Sequence, residues 1–231
     1  MRHVLVTAVL LLAATTTLPV QSVAQPAPDS SRGSPGGRWV MGLRGGLVKM
    51  QGRFRKTVGP SHGGLEGFVA LRSASGFAAG IRLGGTQLQK RSETANLDSG
   101  INVNLKTTTD LIRLGLFGQY GPRFGPVRPY AEGLLGIHML NTNTKIPDNS
   151  NRSDDTKTHK ESVAPAAGIA VGIEIGLFDV QGGSVGLRLE GRHTYGGTAE
   201  YLFYSEEAGE FVERSSSTTT SELSVGLTSN Y

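Results

Sequence analysis

The sequence predicts an all-β protein, an eight-stranded antiparallel up-and-down transmembrane β-barrel. Three observations lead to this fold class. From residue 39 onward, segments recur in which aliphatic side chains alternate with small or charged ones, which is the period of a β-strand. The connections between these segments alternate between short and long, as the connections of membrane barrels do. The number of segments is even, which is also typical of such barrels.

The first 24 residues are predicted to be a secretory signal peptide. Arg2 and His3 precede an apolar run over residues 4–14, and Ser22-Val23-Ala24 has the small-x-small pattern of a cleavage site. An apolar run of this length is too short to cross a bilayer as a helix, which favours export over a membrane anchor. No other segment is long and apolar enough to be a transmembrane helix.

Residues 25–37 are predicted to form a disordered linker, because this Pro-, Gly- and Ser-rich stretch has too few apolar side chains to offset its ordering entropy. The barrel domain is then expected over residues 38–231. The absence of cysteine excludes disulfides and a lipid-modified cysteine. A net charge of +4, scattered along the chain, does not indicate a nucleic-acid partner. No His or carboxylate spacing suggests a metal or cofactor site.

Eight segments carry the alternating pattern, and in each one face is aliphatic while the other is small or charged. They are residues 39–49, 64–73, 77–88, 108–120, 129–140, 164–177, 184–195 and the stretch from about 218 to the end. In that order, the faces predicted to point outward include Trp39, Met41, Leu43 and Leu47; Leu65, Val69 and Leu71; Phe77, Ile81 and Leu83; Ile112, Leu114 and Leu116; Ala131, Leu135, Ile137 and Met139; Ile169, Val171, Ile173 and Ile175; Val185, Leu187 and Leu189; and Leu223, Val225 and Leu227.

The connections distinguish a membrane barrel from a soluble sandwich, which could share the same alternation. Residues 73–76, "GPRFGP" (121–126) and "FDVQGG" (178–183) are short, whereas the other four connections are long and polar. Membrane barrels have tight periplasmic turns and long outer loops. A Greek-key sandwich has no physical reason to sort its loops in this way.

The closing segment and two others resemble the small outer-membrane barrels of diderm bacteria, namely outer membrane protein X, the OmpA transmembrane domain and the outer membrane protein β-barrel domain group. The two others are "PYAEGLLGIH" (129–138) and "APAAGIAVGIE" (164–174). Chains of this family end in an aromatic residue after alternating hydrophobics and a glycine five positions back. The barrel-assembly machinery reads this signal. Leu223, Val225, Gly226, Leu227 and Tyr231 match it, and Ser229 departs from it.

The resemblance implies a location in the outer membrane with both termini in the periplasm. It also implies contact with outer-membrane lipid and lipopolysaccharide, and the barrel-assembly machinery as a partner during biogenesis. It implies no cofactor. Aromatic residues near strand ends fit the membrane interfaces of such a barrel. The four residues predicted for that role are Trp39, Tyr120, Tyr195 and Tyr231.

The inward faces supply a predicted ionic network in the lumen. An eight-stranded barrel is just wide enough for side chains to fill, so these charges must pair with one another or with trapped water. A structural plug of ion pairs is the main interpretation, and a gate that parts into a narrow ion path is the alternative. The predicted members are Glu66, Arg72, Arg82, Arg113, Glu132, Glu174, Arg188, Glu190, Arg192 and Glu222.

The predicted function is therefore that of a non-enzymatic outer-membrane protein with a structural or surface-interaction role, in which the long loops could bind an extracellular ligand. A narrow porin-like channel is the second interpretation, and a soluble lipocalin-like periplasmic carrier is the third. Lipid A deacylases place His and Ser on the lipid-facing wall, but here the residue two positions after His193 is Tyr195. The aromatic stretch "EYLFYS" (200–205) could extend a strand, lie at the interface or contact a partner.

Overall fold

The computed structural model describes residues 38–52, 55, 61–96, 102–145, 157–205 and 210–231. The predicted signal peptide and linker lie outside this part of the chain. No helix within it is long and apolar enough to cross a membrane. It contains ten strands: β1 (Arg38–Met50), β2 (His62–Arg72), β3 (Phe77–Asn96), β4 (Asn102–Tyr120), β5 (Val127–Lys145), β6 (Lys157–Val180), β7 (Gly183–Gly196), β8 (Thr198–Ser205), β9 (Glu210–Ser217) and β10 (Thr220–Asn230).

Eight of the strands form a closed, entirely antiparallel barrel, which confirms the predicted fold. Each strand from β1 to β7 pairs with the next, and β10 follows β7 in the wall. The barrel closes where β10 pairs with β1, in an unbroken register from Val40 opposite Asn230 to Met50 opposite Thr220. The remaining strands, β8 and β9, form a separate two-stranded hairpin within the long connection between β7 and β10.

Four barrel strands are longer than the alternating pattern predicted. β3 runs to Asn96 and β4 begins at Asn102, while β5 runs to Lys145 and β6 begins at Lys157. Their outer parts pair as strands. Their sequence is rich in Thr, Asn and Lys, which weakens the aliphatic alternation. A tilted strand needs about 9–11 residues to cross a bilayer. β6 has 24 residues, so roughly half of its length is not needed to cross a bilayer.

The three tight connections lie at the same end of the barrel as both ends of the described chain. They join β2 to β3, β4 to β5 and β6 to β7, and each contains a glycine with positive φ: Gly76, Gly125 and Gly182. Gly76 has a φ of 86°. That conformation is strained for any residue with a Cβ. The other four connections lie at the other end of the barrel, but the one between β3 and β4 covers only residues 97–101, because both strands extend beyond the predicted segments.

The wall has the predicted polarity, with aliphatic side chains outside and charged ones inside. Leu114 and Leu189 are exposed, whereas Arg113, Glu174 and Arg188 are buried within the cylinder. Two β-bulges interrupt the register, one between Gln87 and Gln89 and one between Gly176 and Phe178. At the first, Leu88 is fully buried.

Glycines on the inward face allow neighbouring strands to approach closely, and β5 carries one such glycine, Gly136, and one outward-facing glycine, Gly133, as a control. A Cβ at Gly136 would collide with the Leu114 carbonyl oxygen and lie 2.7 Å from the Cα of Gly115, while one at Gly133 would meet nothing within 4 Å. Gly136→Ala should lower the free energy of unfolding by about 1–3 kcal/mol. Gly133→Ala should be neutral or raise it by up to about 1 kcal/mol.

Denaturant unfolding from lipid vesicles measures both substitutions. Equal effects of the two would show that close strand approach at Gly136 does not limit the packing.

Candidate functional site in the barrel lumen

The lumen is the candidate site because alternate positions of all eight barrel strands point into it. On β7 this alternation places Arg188, Glu190 and Arg192 on the inner wall, and on β2 it places Glu66 and Arg72 there. Arg188 and Glu190 are each only 2% exposed. The structure buries all ten residues of the predicted network inside the barrel: Glu66, Arg72, Arg82, Arg113, Glu132, Glu174, Arg188, Glu190, Arg192 and Glu222.

Nine charged side chains form one connected set of ion pairs, here called the central cluster. Glu190 is its hub, since its carboxylate lies 2.7 Å from Arg192, 3.0 Å from Arg188 and in contact with Arg44. Buried charges of this kind are tolerated only when they are paired and hydrogen-bonded. The members are Arg44, Arg82, Arg113, Arg188 and Arg192 with Glu66, Glu132, Glu190 and Glu222.

The other three glutamates of the central cluster also bind more than one arginine. Glu66 contacts Arg44 and lies 2.7 Å from Arg192. Glu132 contacts Arg82 and lies 3.2 Å from Arg188. Sharing of this kind ties strands on opposite sides of the cylinder together. Glu222 of β10 contacts Arg113 of β4 and lies 3.5 Å from Arg192.

A second, smaller group lies toward the tight turns and is here called the inner cluster. Glu174 lies 2.8 Å from Arg128 and 3.4 Å from Arg72. Asn230 accepts a hydrogen bond from Arg72 at 3.1 Å and donates one to Glu174 at 3.1 Å. This group joins β2, β5, β6 and β10 at the end of the lumen where the described chain begins and ends.

Aromatic rings separate the two clusters along part of the wall. Phe68 and Phe117 pack edge to face with centroids 5.9 Å apart, within a buried apolar group that includes Val40. The guanidinium carbon of Arg82 lies 4.4 Å from the centre of the Phe117 ring. That of Arg188 lies 4.0 Å from the centre of the Tyr130 ring. These cation–π contacts stabilise guanidinium groups that have been removed from water.

Tyr130 joins the aromatic and ionic parts of the lumen. Its hydroxyl accepts a hydrogen bond from Arg188 Nε at 2.6 Å and donates one to Glu190 at 2.9 Å. Both the donor and the acceptor capacity of the buried hydroxyl are therefore used, as buried polar groups require.

Above the central cluster, toward the long connections, the lumen is lined by threonines and His138. The Nδ1 of His138 lies 3.1 Å from the Thr218 carbonyl oxygen, which can only accept, so Nδ1 carries the proton in this contact. Thr109 and Thr142 lie opposite each other with hydroxyl oxygens 3.5 Å apart. This layer is polar but uncharged.

An apolar layer, here called the outer layer, closes the lumen beyond the threonines. It is formed by inward-facing residues of the wall together with two residues of the hairpin strand β8. All of its members are at most 5% exposed, and they are Met50, Leu88, Leu111, Leu140, Ala164, Ala199 and Tyr201. The stretch "EYLFYS" (200–205) therefore does not extend a barrel strand, the first of the alternatives raised for it, but belongs to the separate hairpin strand β8.

Lys160 of β6 holds the hairpin to the outer part of the wall. Its ammonium group donates to Glu213 of β9 at 2.6 Å and lies 3.0 Å from Glu200 of β8. Hydrogen bonding to Glu213, and then to Glu200, raises the pKa of Lys160, and the bond to Lys160 lowers the pKa of Glu213. The backbone N–H of Glu200 also donates to the Ser162 hydroxyl at 3.0 Å.

Several lumen residues were missing from the predicted network. Arg44 lies in the first predicted segment, and its position has the same parity as that of buried Val40. Arg128 lies just before the predicted fifth segment, and extending that segment by one residue would have placed it on the same face as Tyr130. Because every second residue of a strand faces the lumen, counting positions along each strand would have identified both arginines. Asn230 has the same parity as Glu222 and could have been found in the same way.

The residues predicted at the membrane interfaces lie on the outer wall near the ends of strands. Trp39, Tyr120 and Tyr231 are exposed at the tight-turn end, where Phe77 lies opposite Tyr120 in the register. Tyr195 is exposed near the other end of β7. The residues of the predicted assembly signal lie on β10 or directly after it. Leu223, Val225, Leu227 and Tyr231 face outward there, and Gly226 lies opposite Arg44 in the β1 register.

His193 lies on the outer wall, but its surroundings differ from those of a catalytic triad. Its Nδ1 lies 2.9 Å from the hydroxyl of Ser221 on β10, and its ring packs edge to face on Tyr195 with centroids 4.6 Å apart. Among the described residues no carboxylate is within hydrogen-bonding distance of the imidazole to orient it. Within the same part of the chain, no group of His, Cys, Asp and Glu side chains is arranged to hold a metal ion.

No family model matches the chain, and no curated protein sequence matches it significantly. Among solved structures, Neisserial surface protein A aligns at 12% identity and a TM-score of 0.46, over 83% of this chain and 95% of its own. Ail, the attachment invasion locus protein of Yersinia pestis, aligns at 10% identity and 0.46, over 85% and 99%.

Outer membrane protein AlkL aligns at 16% identity and a TM-score of 0.41, over 90% of this chain and 96% of its own. The similarity to small outer-membrane barrels is one of fold, and the assignment of a closed eight-stranded barrel rests on the strand pairing of this chain.

Removal of the hub carboxylate tests whether the central cluster holds the barrel together. Glu190→Gln leaves Arg44, Arg188 and Arg192 without their shared counter-charge. Breaking a buried ion pair from one side costs about 3–5 kcal/mol, so the free energy of unfolding from lipid vesicles should fall by about that amount. The matched control is Glu213→Gln, which removes an exposed carboxylate and should have little effect. A similar small effect of both substitutions would contradict a stabilising role for the cluster.

Proposed function

We propose that the chain is a non-enzymatic integral outer-membrane β-barrel protein with a structural or surface-interaction role carried by its long outer connections. The observation that carries this proposal is the outer wall of the barrel, where large aliphatic side chains are exposed around the cylinder. Leu116 is 65% exposed, Leu135 68% and Ile169 66%. A continuous apolar surface of this size favours association or aggregation in water, whereas a bilayer requires it.

The distribution of polar groups supports the same location. A water-soluble carrier would bury its aliphatic side chains and present its charges to solvent. Here the buried side chains include eleven arginines and glutamates of the two clusters, and the described outer wall between the aromatic ends is mainly aliphatic. The lipocalin-like interpretation is therefore not favoured.

The orientation follows from the two unequal ends. The tight turns and both ends of the barrel domain share one side, which is the periplasmic side in barrels of this kind. The exposed aromatics Trp39, Tyr120 and Tyr231 fit the interface on that side, and Tyr195 fits the opposite interface. In this orientation the long strand extensions and the β8–β9 hairpin face the cell exterior. Lipid and lipopolysaccharide would contact the wall, and the predicted signal in β10 would direct assembly by the barrel-assembly machinery.

A closed lumen supports a structural rather than a transport role. The aromatic group, the central cluster and the outer layer follow one another along the axis from the tight-turn end, and their members are buried. An ion entering this lumen would have to break several buried ion pairs or cross a dry apolar layer. The outer connections are then the part of the molecule available for an extracellular ligand. A narrow channel gated by the ion pairs is the alternative function.

Single-channel recording distinguishes the two functions. The refolded protein in planar bilayers should give no discrete conductance steps, because the lumen is filled with paired side chains. Heat-modifiable gel mobility of the same vesicles, together with protease protection of the wall, controls for insertion. Reproducible small steps from inserted protein would instead support the gated channel.

Membrane embedding can be tested by charge substitutions at two depths on β5. Leu135→Arg lies near the middle of the aliphatic wall and should lower the free energy of unfolding from lipid vesicles by about 2–4 kcal/mol. Val127→Arg lies at the tight-turn end, is also exposed, and should cost about 0–1 kcal/mol. On a protein surrounded by water both substitutions would be nearly neutral, so equal small effects would contradict membrane embedding.

A further inference from the structure

The charges of the central cluster do not balance. Its ion pairs connect five arginines, Arg44, Arg82, Arg113, Arg188 and Arg192, with four glutamates. Arginine stays protonated in proteins, so one positive charge is left over even when every glutamate is ionised. Side chains of this cluster are at most 8% exposed, and bulk water cannot neutralise the excess.

A buried charge without a counter-charge is costly, because the energy of removing it from water is not recovered by pairing. The aromatic rings beside Arg82 and Arg188 reduce this cost but carry no net charge. A further negative group close to the arginines would remove it. The inner cluster does not provide one, since its single carboxylate, Glu174, is already shared by Arg72 and Arg128.

The cluster borders a cavity, and some of the buried hydrogen-bond donors that lack acceptors belong to arginines that line it. The cavity is lined by Arg82, Arg113 and Arg192 together with His138 and Thr194, among others. The Nε atoms of Arg82 and Arg113 are buried without a hydrogen-bond acceptor, whereas Nη1 of Arg82 lies 3.4 Å from a carboxylate oxygen of Glu66. Orphaned donors of this kind are rare in folded proteins and need an explanation.

The size of the cavity restricts what it could hold. The cavity offers a volume of about 10 Å³ to a sphere the size of a water molecule. One such sphere is about the smallest space that accepts a single water molecule. A monatomic halide ion needs little more, whereas a polyatomic anion such as sulfate, or an organic carboxylate, would not fit. Glu66 also lines the cavity, but its charge is matched by Arg44 and Arg192.

We propose that the lumen contains a buried binding site for one chloride ion, in the cavity beside Arg82 and Arg113. The ion supplies the missing negative charge of the central cluster and accepts hydrogen bonds from the orphaned guanidinium groups. It acts as an internal structural ligand of the barrel.

The test is the thermal stability of the refolded protein in detergent micelles, measured by heat-modifiable gel mobility. Sodium chloride is exchanged for sodium gluconate at constant ionic strength, because gluconate is too large for the cavity. A ligand that binds only the folded state raises the unfolding temperature with its concentration. The unfolding temperature should therefore rise with chloride, and bromide should replace chloride.

Three variants connect the effect to the cluster. Arg113→Gln removes the excess charge while leaving Glu222 paired with Arg192, and should abolish the response to chloride. Arg113→Lys keeps the charge and should retain a response. The control is Arg128→Gln, which removes an arginine from the inner cluster but leaves Glu174 paired with Arg72, and its response should equal that of the wild type.

Equal stability of the wild type in chloride and gluconate would overturn the proposal, as would an undiminished chloride response in Arg113→Gln. If Arg113→Gln does not fold, crystals of the wild type grown with sodium bromide decide the question. An anomalous bromide peak between Arg82 and Arg113 supports the site, and a water molecule without anomalous signal at that position refutes it.

Discussion

The structure depends on the closure of its backbone ladder, in which β10 pairs with β1 along an unbroken register. In hydrocarbon no water is available to satisfy a free N–H or C=O, so strands can cross only as a complete cylinder. Closure at eight strands also determines the bore, which is just wide enough for side chains. The aliphatic exterior and the crowded interior are both consequences of this one constraint.

The crowded interior explains why its charges form clusters instead of isolated pairs. A single buried pair seldom repays the desolvation of both partners. In this barrel the carboxylate of Glu190 forms ion pairs with Arg44, Arg188 and Arg192 at the same time. One desolvated carboxylate therefore interacts with several guanidinium groups. The pairs join strands that are far apart in the chain. Arg113 and Glu222 are separated by 109 positions, and their contact depends on the register of the complete cylinder.

The sequence predicted the fold and the inward and outward faces of each barrel strand well, because an alternation such as Arg113-Leu114 has only one arrangement that keeps the arginine out of lipid. It did not predict the hairpin of β8 and β9. It did not predict which charges pair. Parity places a residue on a face but does not give its height along the axis. That height follows from the tilt and register of all eight strands. The outer halves of β3 to β6 were missed for another reason. With polar residues on both faces, as around Asn141 and Asn143, the contrast on which the pattern depends disappears.

The tall outer parts of β3 to β6 have one more consequence. Within the described residues, the pairing of β2 with β3 ends toward the outer side at Gly64 opposite Thr86. The pairing of β7 with β6 ends on that side at Gly196 opposite Ala166. Beyond these points, away from the tight turns, only β3 to β6 continue. They form a four-stranded sheet with two lateral edges, here called the blade. On the β3 side, the edge amides and carbonyls that point away from β4 have no neighbouring strand among the described residues. An added strand from a partner molecule would therefore find main-chain hydrogen bonds on this blade, and nowhere along the closed part of the wall.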